Sequence, residues 1–343
     1  MPTASFASLF ASRPTPVGAD GHIRILDGWR ALSITFVLIG HWLPVNAVLP
    51  GGNEAIAATG MNIFFFLSGF LITRILHGKP DVRSFLIRRL FRIVPLAWAA
   101  MLALYVASGD GERLLVNLLF HANLPPIRFL PHGEFLWSLC LEVQAYLTVA
   151  ALVAVAGRRG LFALPVLAVA VTVAAITAGE MVSVVTWHRA DELLAGATVA
   201  LIYLGAFGER PRALFARLNF YLLLLVAAAC CYWLRSPIGY ARPYAVAALV
   251  GSTLWNAPRW LAAPMTSRAA VYLATVSYAV YVFHGLLWAT WLGTGDTLEK
   301  YLKRPLLLAA TLACAHVSTF YYERRFTDLG RALSRGRARA MAG

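Results

Sequence analysis

The sequence predicts an all-α fold, a polytopic bundle of about ten membrane-spanning helices with both termini in the cytoplasm. Three observations predict it. The chain is 59% hydrophobic and only 13% charged over 343 residues, where a soluble domain is nearer half apolar and a quarter charged. Its mean hydropathy is +0.67. Apolar windows of near-membrane length recur along it, and Lys and Arg gather in alternate connections between them, as the positive-inside rule requires.

The windows run over 31–49, 56–76, 93–108, 135–156, 161–178, 191–207, 216–234, 243–257, 271–292 and 305–322. Residues 1–23 are Ala-, Ser- and Pro-rich, with an apolar run too short for a signal-peptide core, and are expected to be a flexible cytoplasmic tail. Residues 24–326 form the expected membrane domain and 327–343 a basic cytoplasmic tail. With the N-terminus inside, 22 of the 30 Lys and Arg fall on inner segments and 8 on outer ones, Arg189 and Arg242 among the latter. The net charge of +14 is therefore a topology signal. No basic stripe with interleaved aromatics points to nucleic acid. The four cysteines lie in apolar segments without metal-ligand spacing and read as small packing residues. Gly and Ala are plentiful enough for close helix packing, but no oligomeric state follows.

Ionisable groups inside such windows are costly and mark function. In DGWRALSITFVLIGHW, Arg30 and His41 are separated by ten residues, so they share a helix face about 16 Å apart along the axis. That spacing places the imidazole near mid-membrane, with Asp27 and Arg30 toward the edge. Histidine titrates near neutrality and suits a general base or nucleophile; a hydrogen bond to a neighbouring helix is the alternative. In SFLIRRLFRIVP, Arg89 and Arg92 are helical neighbours at the inner end of the third window. They signal topology, or clamp phosphates as guanidinium forks do. In WSLCLEVQAYL, Ser138, Glu142 and Tyr146 form one polar stripe, with Glu142 expected to meet either His41 or an arginine. Asn62, Ser68 and Gly69 interrupt an apolar helix, Gly69 as a close-packing point. Ser277, Tyr281 and His284 share a face, as a hydrogen-bond network or a site. Glu323 in YYERRF reads as structural.

These blocks resemble the integral-membrane acyltransferase-3 family. RILDGWRALSITFVLIGHW is similar to its opening motif of arginine, ten residues and histidine. GMNIFFFLSGFLITRIL resembles its second-span motif, RRLFRIVP its Arg-x-x-Arg motif, and WSLCLEVQAYL its Trp-Ser-Leu…Glu-Glu-Gln motif. HRADELLAGATVAL, SYAVYVFHG and FYYERRF resemble later blocks, so the likeness runs from residue 24 to about 326. Asn62 stands where the family usually has aspartate, and Val143 where it has a second glutamate. The resemblance implies a multi-pass O-acyltransferase of the cell inner membrane; with no esterase-like domain of the kind some members append, it is expected to work alone or with a separate partner. It implies acyl-CoA, acetyl-CoA by default, as cytoplasmic co-substrate, with no permanently bound cofactor or metal. The acceptor would be a hydroxyl of a carbohydrate or lipid-linked glycan. His41, Glu142 and Arg30 would be catalytic, and Arg30, Arg89 and Arg92 would hold the donor. Asp27, Asn62, Ser68, Ser138, Tyr146, Arg189, Tyr281 and His284 would line the site. A transporter or flippase of a glycan, or a relative without catalysis, are the competing readings.

Overall fold

The computed structural model describes residues 12–15, 18 and 21–340. It is all-α apart from one short ribbon, and falls into two compact units. The first comprises Met1–Arg74, Leu164–Val182 and His188–Thr275, the second Ile75–Ala163, Ser183–Trp187 and Val276–Gly343. The helices are α1 (Ile25–Trp42), α2 (Gly52–Gly78), α3 (Val82–Ser108), α4 (Gly111–Leu118), α5 (Trp137–Ala156), α6 (Leu164–Ala178) and α7 (Asp191–Tyr203). They continue with α8 (Glu209–Arg217), α9 (Phe220–Tyr232), α10 (Arg242–Ser252), α11 (Arg259–Met265), α12 (Arg268–Trp288), α13 (Thr297–Val317) and α14 (Arg324–Ala340).

Among the described residues, five helical stretches are long and apolar enough to cross a membrane: α2, α3, Glu134–Ala178, α12 and Thr297–Arg335. The pair α8–α9, bent by 86°, makes a sixth if it counts as one span. Ten separate spanning helices are thus not what the helix lengths display. At 1.5 Å per residue, α7, α9 and α10 reach only about 16–20 Å, against the roughly 30 Å of bilayer hydrocarbon. Asp27, Arg30 and His41 lower the apolarity of α1. Asn219 causes the α8–α9 break: its side chain accepts from the backbone N–H groups of Tyr221 (2.9 Å) and Leu222 (3.1 Å), capping a new helix inside the expected window. Gly157, with φ +58°, ends α5 before the helical turn that leads into α6. Large apolar side chains face outward, with Val155 89% and Val106 81% exposed, a surface suited to lipid.

In the first unit α2 and α7 touch backbone to backbone. A Cβ on Gly69 would lie 1.8 Å from the Leu193 carbonyl oxygen, and one on Gly196 2.2 Å from that of Phe66. Around this crossing Trp29, Ile63, Phe66, Phe70 and Val250 form a buried core, and Trp29 Nε1 donates to Thr253 Oγ1 at 2.9 Å.

Secondary structure is described in part of each expected tail. Ser12–Pro14 (β1) pairs antiparallel with Asn256–Pro258 (β2), and Thr15 Oγ1 donates to Thr253 O at 2.6 Å. Residues 1–11, 16, 17, 19 and 20 of the expected N-terminal tail lie outside the described residues. The C-terminal segment is the helix α14, packed along α3. A π-helical turn, Ser318–Glu323, joins it to α13.

Gly69→Ala will force α2 and α7 apart and lower stability by about 1–3 kcal/mol, the usual cost of overpacking. Gly78→Ala, where a Cβ would meet nothing within 4 Å, will not. Thermal unfolding of the detergent-solubilised protein checks the difference.

Candidate functional site

The sequence-predicted residues divide between the two units. His41, Arg30, Asp27, Asn62, Ser68 and Arg189 lie in the first; Arg89, Arg92, Ser138, Glu142, Tyr146, Tyr281 and His284 lie in the second.

In the first unit, α1 begins at Ile25, so Arg30 lies in its second turn and His41 in its last. Arg30 is half-buried and His41 exposed. His41 is therefore at a helix end, one residue short of the turn into the next loop, rather than in mid-helix as its window predicts. Asp27 pairs with His22, whose Nε2 is 2.7 Å from Asp27 Oδ2.

Asn62 and Arg189 belong to a buried polar cluster that sequence reading did not assemble. Glu192, in the first turn of α7, is its hub. Its Oε1 lies 2.8 Å from Arg189 Nε, 3.0 Å from Arg242 Nη2 and 3.0 Å from Asn62 Nδ2. All four residues are at least 95% buried. Asp191 beside it accepts from Thr172 Oγ1 at 2.8 Å, and Thr172 in turn meets Tyr244 Oη at 2.8 Å. Arg189 and Arg242 are interior ion-pair members and not the outer loop charges their sequence positions imply. The available signal was the acidic pair Asp191–Glu192 two and three residues after Arg189, opening an apolar run.

In the second unit, Tyr146 donates to Glu142 Oε1 one turn away on α5. Both are buried. The Arg89 guanidinium lies over the rings of Tyr146 (5.8 Å) and Phe85 (5.9 Å), within electrostatic reach of Glu142. Ser138, on the same helix, has a different partner: its Oγ donates to Tyr281 Oη at 2.7 Å, and Tyr281 donates onward to Phe135 O. His284 Nδ1 meets Tyr281 O, and its ring stands edge-on to Phe135 at 5.6 Å. The Tyr281–His284 face is thus an interhelical network. Buried Glu323 accepts from Ser318 Oγ (2.9 Å) and Thr319 Oγ1 (3.2 Å).

Arg89 and Arg92 both line a cleft of about 300 Å³. Arg88 and Lys79 line it with them, and among the described lining residues Asp81 is the one carboxylate. Asp81 caps α3, accepting from Ser84 N at 3.0 Å, and its bonds with Ser84 hold its carboxyl below the usual carboxylate range. The cleft therefore concentrates positive charge at the start of a long apolar helix, a setting that attracts polyanionic phosphates.

The sequence pattern of the acyltransferase-3 family, described as an acyltransferase domain, matches residues 23–322. A Bacillus subtilis (strain 168) protein, YrhL, named as a candidate peptidoglycan O-acetyltransferase, is 31% identical over 147 residues, 36% of this chain and 22% of the relative. Nodulation protein 10 of Rhizobium leguminosarum bv. viciae is 25% identical over 143 residues, 39% of this chain and 38% of the relative. The chain thus covers well under half the length of each relative. No solved structure matches it.

Glu192→Ala will strand two buried guanidiniums and destabilise the protein by about 3–5 kcal/mol. Glu54→Ala, which breaks the solvent-exposed pair with Arg235, will leave the unfolding midpoint unchanged. Equal shifts in the two variants would contradict the assignment of Glu192 as the hub.

Proposed function

The chain belongs to the acyltransferase-3 family, and from that premise we propose that it is a multi-pass O-acyltransferase of the cell inner membrane. It takes an acyl group, acetyl by default, from cytoplasmic acyl-CoA and delivers it to a hydroxyl of an extracytoplasmic or lipid-linked carbohydrate. The observation that carries this reading is the basic cleft around Arg89 and Arg92, with five cationic side chains and one carboxylate among its lining residues. Coenzyme A carries several phosphate charges, and guanidinium forks match them. In this reading the ten apolar windows are ten crossings, several made by short or broken helices, with both termini inside.

In the proposed reaction His41 accepts the proton of the acceptor hydroxyl. The freed oxygen attacks the thioester carbonyl, the C–O bond forms, the C–S bond breaks, and the coenzyme A thiolate leaves to be protonated by the imidazolium. Arg30 is assigned to the donor beside His41. Glu142 is assigned a part in the charge balance of the reaction. Its bond with Tyr146 and its reach to Arg89 also support a role in holding the donor clamp. Attack by the His41 ring itself, through an acyl-histidine, balances equally well.

The 86° break between α8 and α9 favours one second reading, a transporter of a glycan or lipid-linked substrate, since broken helices are common in transporters.

Two outcomes test the proposal. His41→Ala will remove one acyl increment from surface glycans, read by mass spectrometry, while the protein remains in the membrane; an unchanged glycan spectrum would end the reading. Arg89→Ala combined with Arg92→Ala will weaken acyl-CoA binding by at least about 10²-fold, the size expected when two charge-assisted contacts are lost. Unchanged donor affinity would remove the clamp.

A further inference from the structure

The second unit also carries a feature that the donor reading does not require. The cleft is closed on one side by the C-terminal helix. Thr327 and Arg331 of α14 line it, facing Lys79 at the end of α2 and Arg88 on α3. We infer that α14 is a wall of the donor seat, and that Arg331, with Arg88 and Lys79, receives a terminal phosphate dianion, the ribose 3′-phosphate of coenzyme A. This assignment rests on the acyl-CoA reading proposed above.

Four observations support it. First, charge at the cleft is graded by depth. Arg89 and Arg92 are half-buried, whereas the side chains of Arg331 and Lys79 are 61% and 71% exposed, and Arg88 is exposed as well. A ligand with two separated phosphate groups fits that division, its pyrophosphate inward and its remaining dianion at the mouth.

Second, the nearby acids do not neutralise the mouth. Asp81 is engaged as the cap of α3 and stands 3.9 Å from Lys79. Asp328 Oδ1 accepts from Arg331 Nη1 at 2.9 Å, but in an exposed, same-helix pair that is worth little in water. Arg88 uses its Nε on Ser84 O at 3.2 Å.

Third, α14 is seated by direct contact. A Cβ on Gly330 would lie 2.8 Å from Phe91 Cβ, so the two helices cross with only a hydrogen between them, one residue from Arg331. Fourth, the cavity, at about 300 Å³, is many times the roughly 30 Å³ a water molecule takes in the liquid. That is room for a phosphate with part of its sugar.

An anionic lipid headgroup offers the same phosphate chemistry at a basic helix beside a membrane, so the test separates the two sources. The full-length protein is placed in nanodiscs of phosphatidylcholine alone and titrated with coenzyme A and with dephospho-coenzyme A, which lacks the 3′-phosphate. The wild type is expected to bind coenzyme A at least about tenfold more tightly, the size of one charge-assisted contact. Arg331→Glu is expected to abolish that ratio while leaving dephospho-coenzyme A affinity unchanged. Arg331→Lys is expected to restore part of it, and Gly330→Leu to reduce it with Arg331 intact.

Equal binding of both ligands by the wild type, or a ratio that survives in Arg331→Glu, would overturn the inference and leave the donor reading standing. If neither ligand binds, the donor reading fails and takes the inference with it. Saturable uptake of phosphatidylglycerol into the cleft, lost in Arg331→Glu and accompanied by no coenzyme A ratio, would assign the mouth to a lipid headgroup and overturn the inference as well.

Discussion

A guanidinium enclosed by apolar helices must be matched by an anion, and the architecture of this chain follows from how each is matched. Removing one member of a buried ion pair costs more than most packing defects, because the partner charge is left stranded. Glu192 meets this demand for two guanidiniums, Arg189 and Arg242, and takes the Asn62 amide at the same oxygen. Those residues come from the lead into α7, the start of α10 and the middle of α2. The cluster therefore ties two short helices to a long one at the point where the Gly69 and Gly196 contacts bring α2 and α7 to backbone distance. Polar matching fixes the register, and the absence of side chains at the crossing permits it.

The second unit uses a different balance. Arg89 rests on two aromatic faces, which stabilise a cation modestly, and shares the neighbourhood of Glu142. Around it, cations outnumber carboxylates among the cleft residues. Such an excess is sustained where solvent or a soluble anion supplies the missing charge. The contrast between a self-neutralised cluster and a charge-excess cleft separates a structural role from a binding role more firmly than burial does.

Much of this was legible in the sequence and some was not, for physical reasons. The windows at 56–76 and 271–292 correspond to α2 and α12 because their apolar runs, despite single polar residues, contain no proline to end a helix. The i, i+4 spacing of Glu142 and Tyr146 gave their contact directly. The windows at 191–207 and 216–234 hold α7 and α9, each shorter than its window, because hydropathy does not register the turn at Gly205, at positive φ, or the cap made by Asn219. Arg189 and Arg242 were counted as loop charges because a charge tally has no access to a partner far away in sequence. The C-terminal helix was read as a tail because its packing face, Phe326, Gly330 and Ser334, is mostly small residues, which carry almost no hydrophobic signal. Ser138 and Tyr281 lay on separate predicted faces, and only the fold brings them together.

The central claim is that this chain breaks a thioester and does not merely move a glycan. Its most direct test is the release of free coenzyme A thiol by the purified protein in liposomes, supplied with acetyl-CoA on one side and a carbohydrate acceptor on the other. The account predicts thiol release that depends on the acceptor and matches, mole for mole, the ester formed on it. Passage of the carbohydrate across the bilayer with no thiol released would contradict it and establish the transporter reading instead.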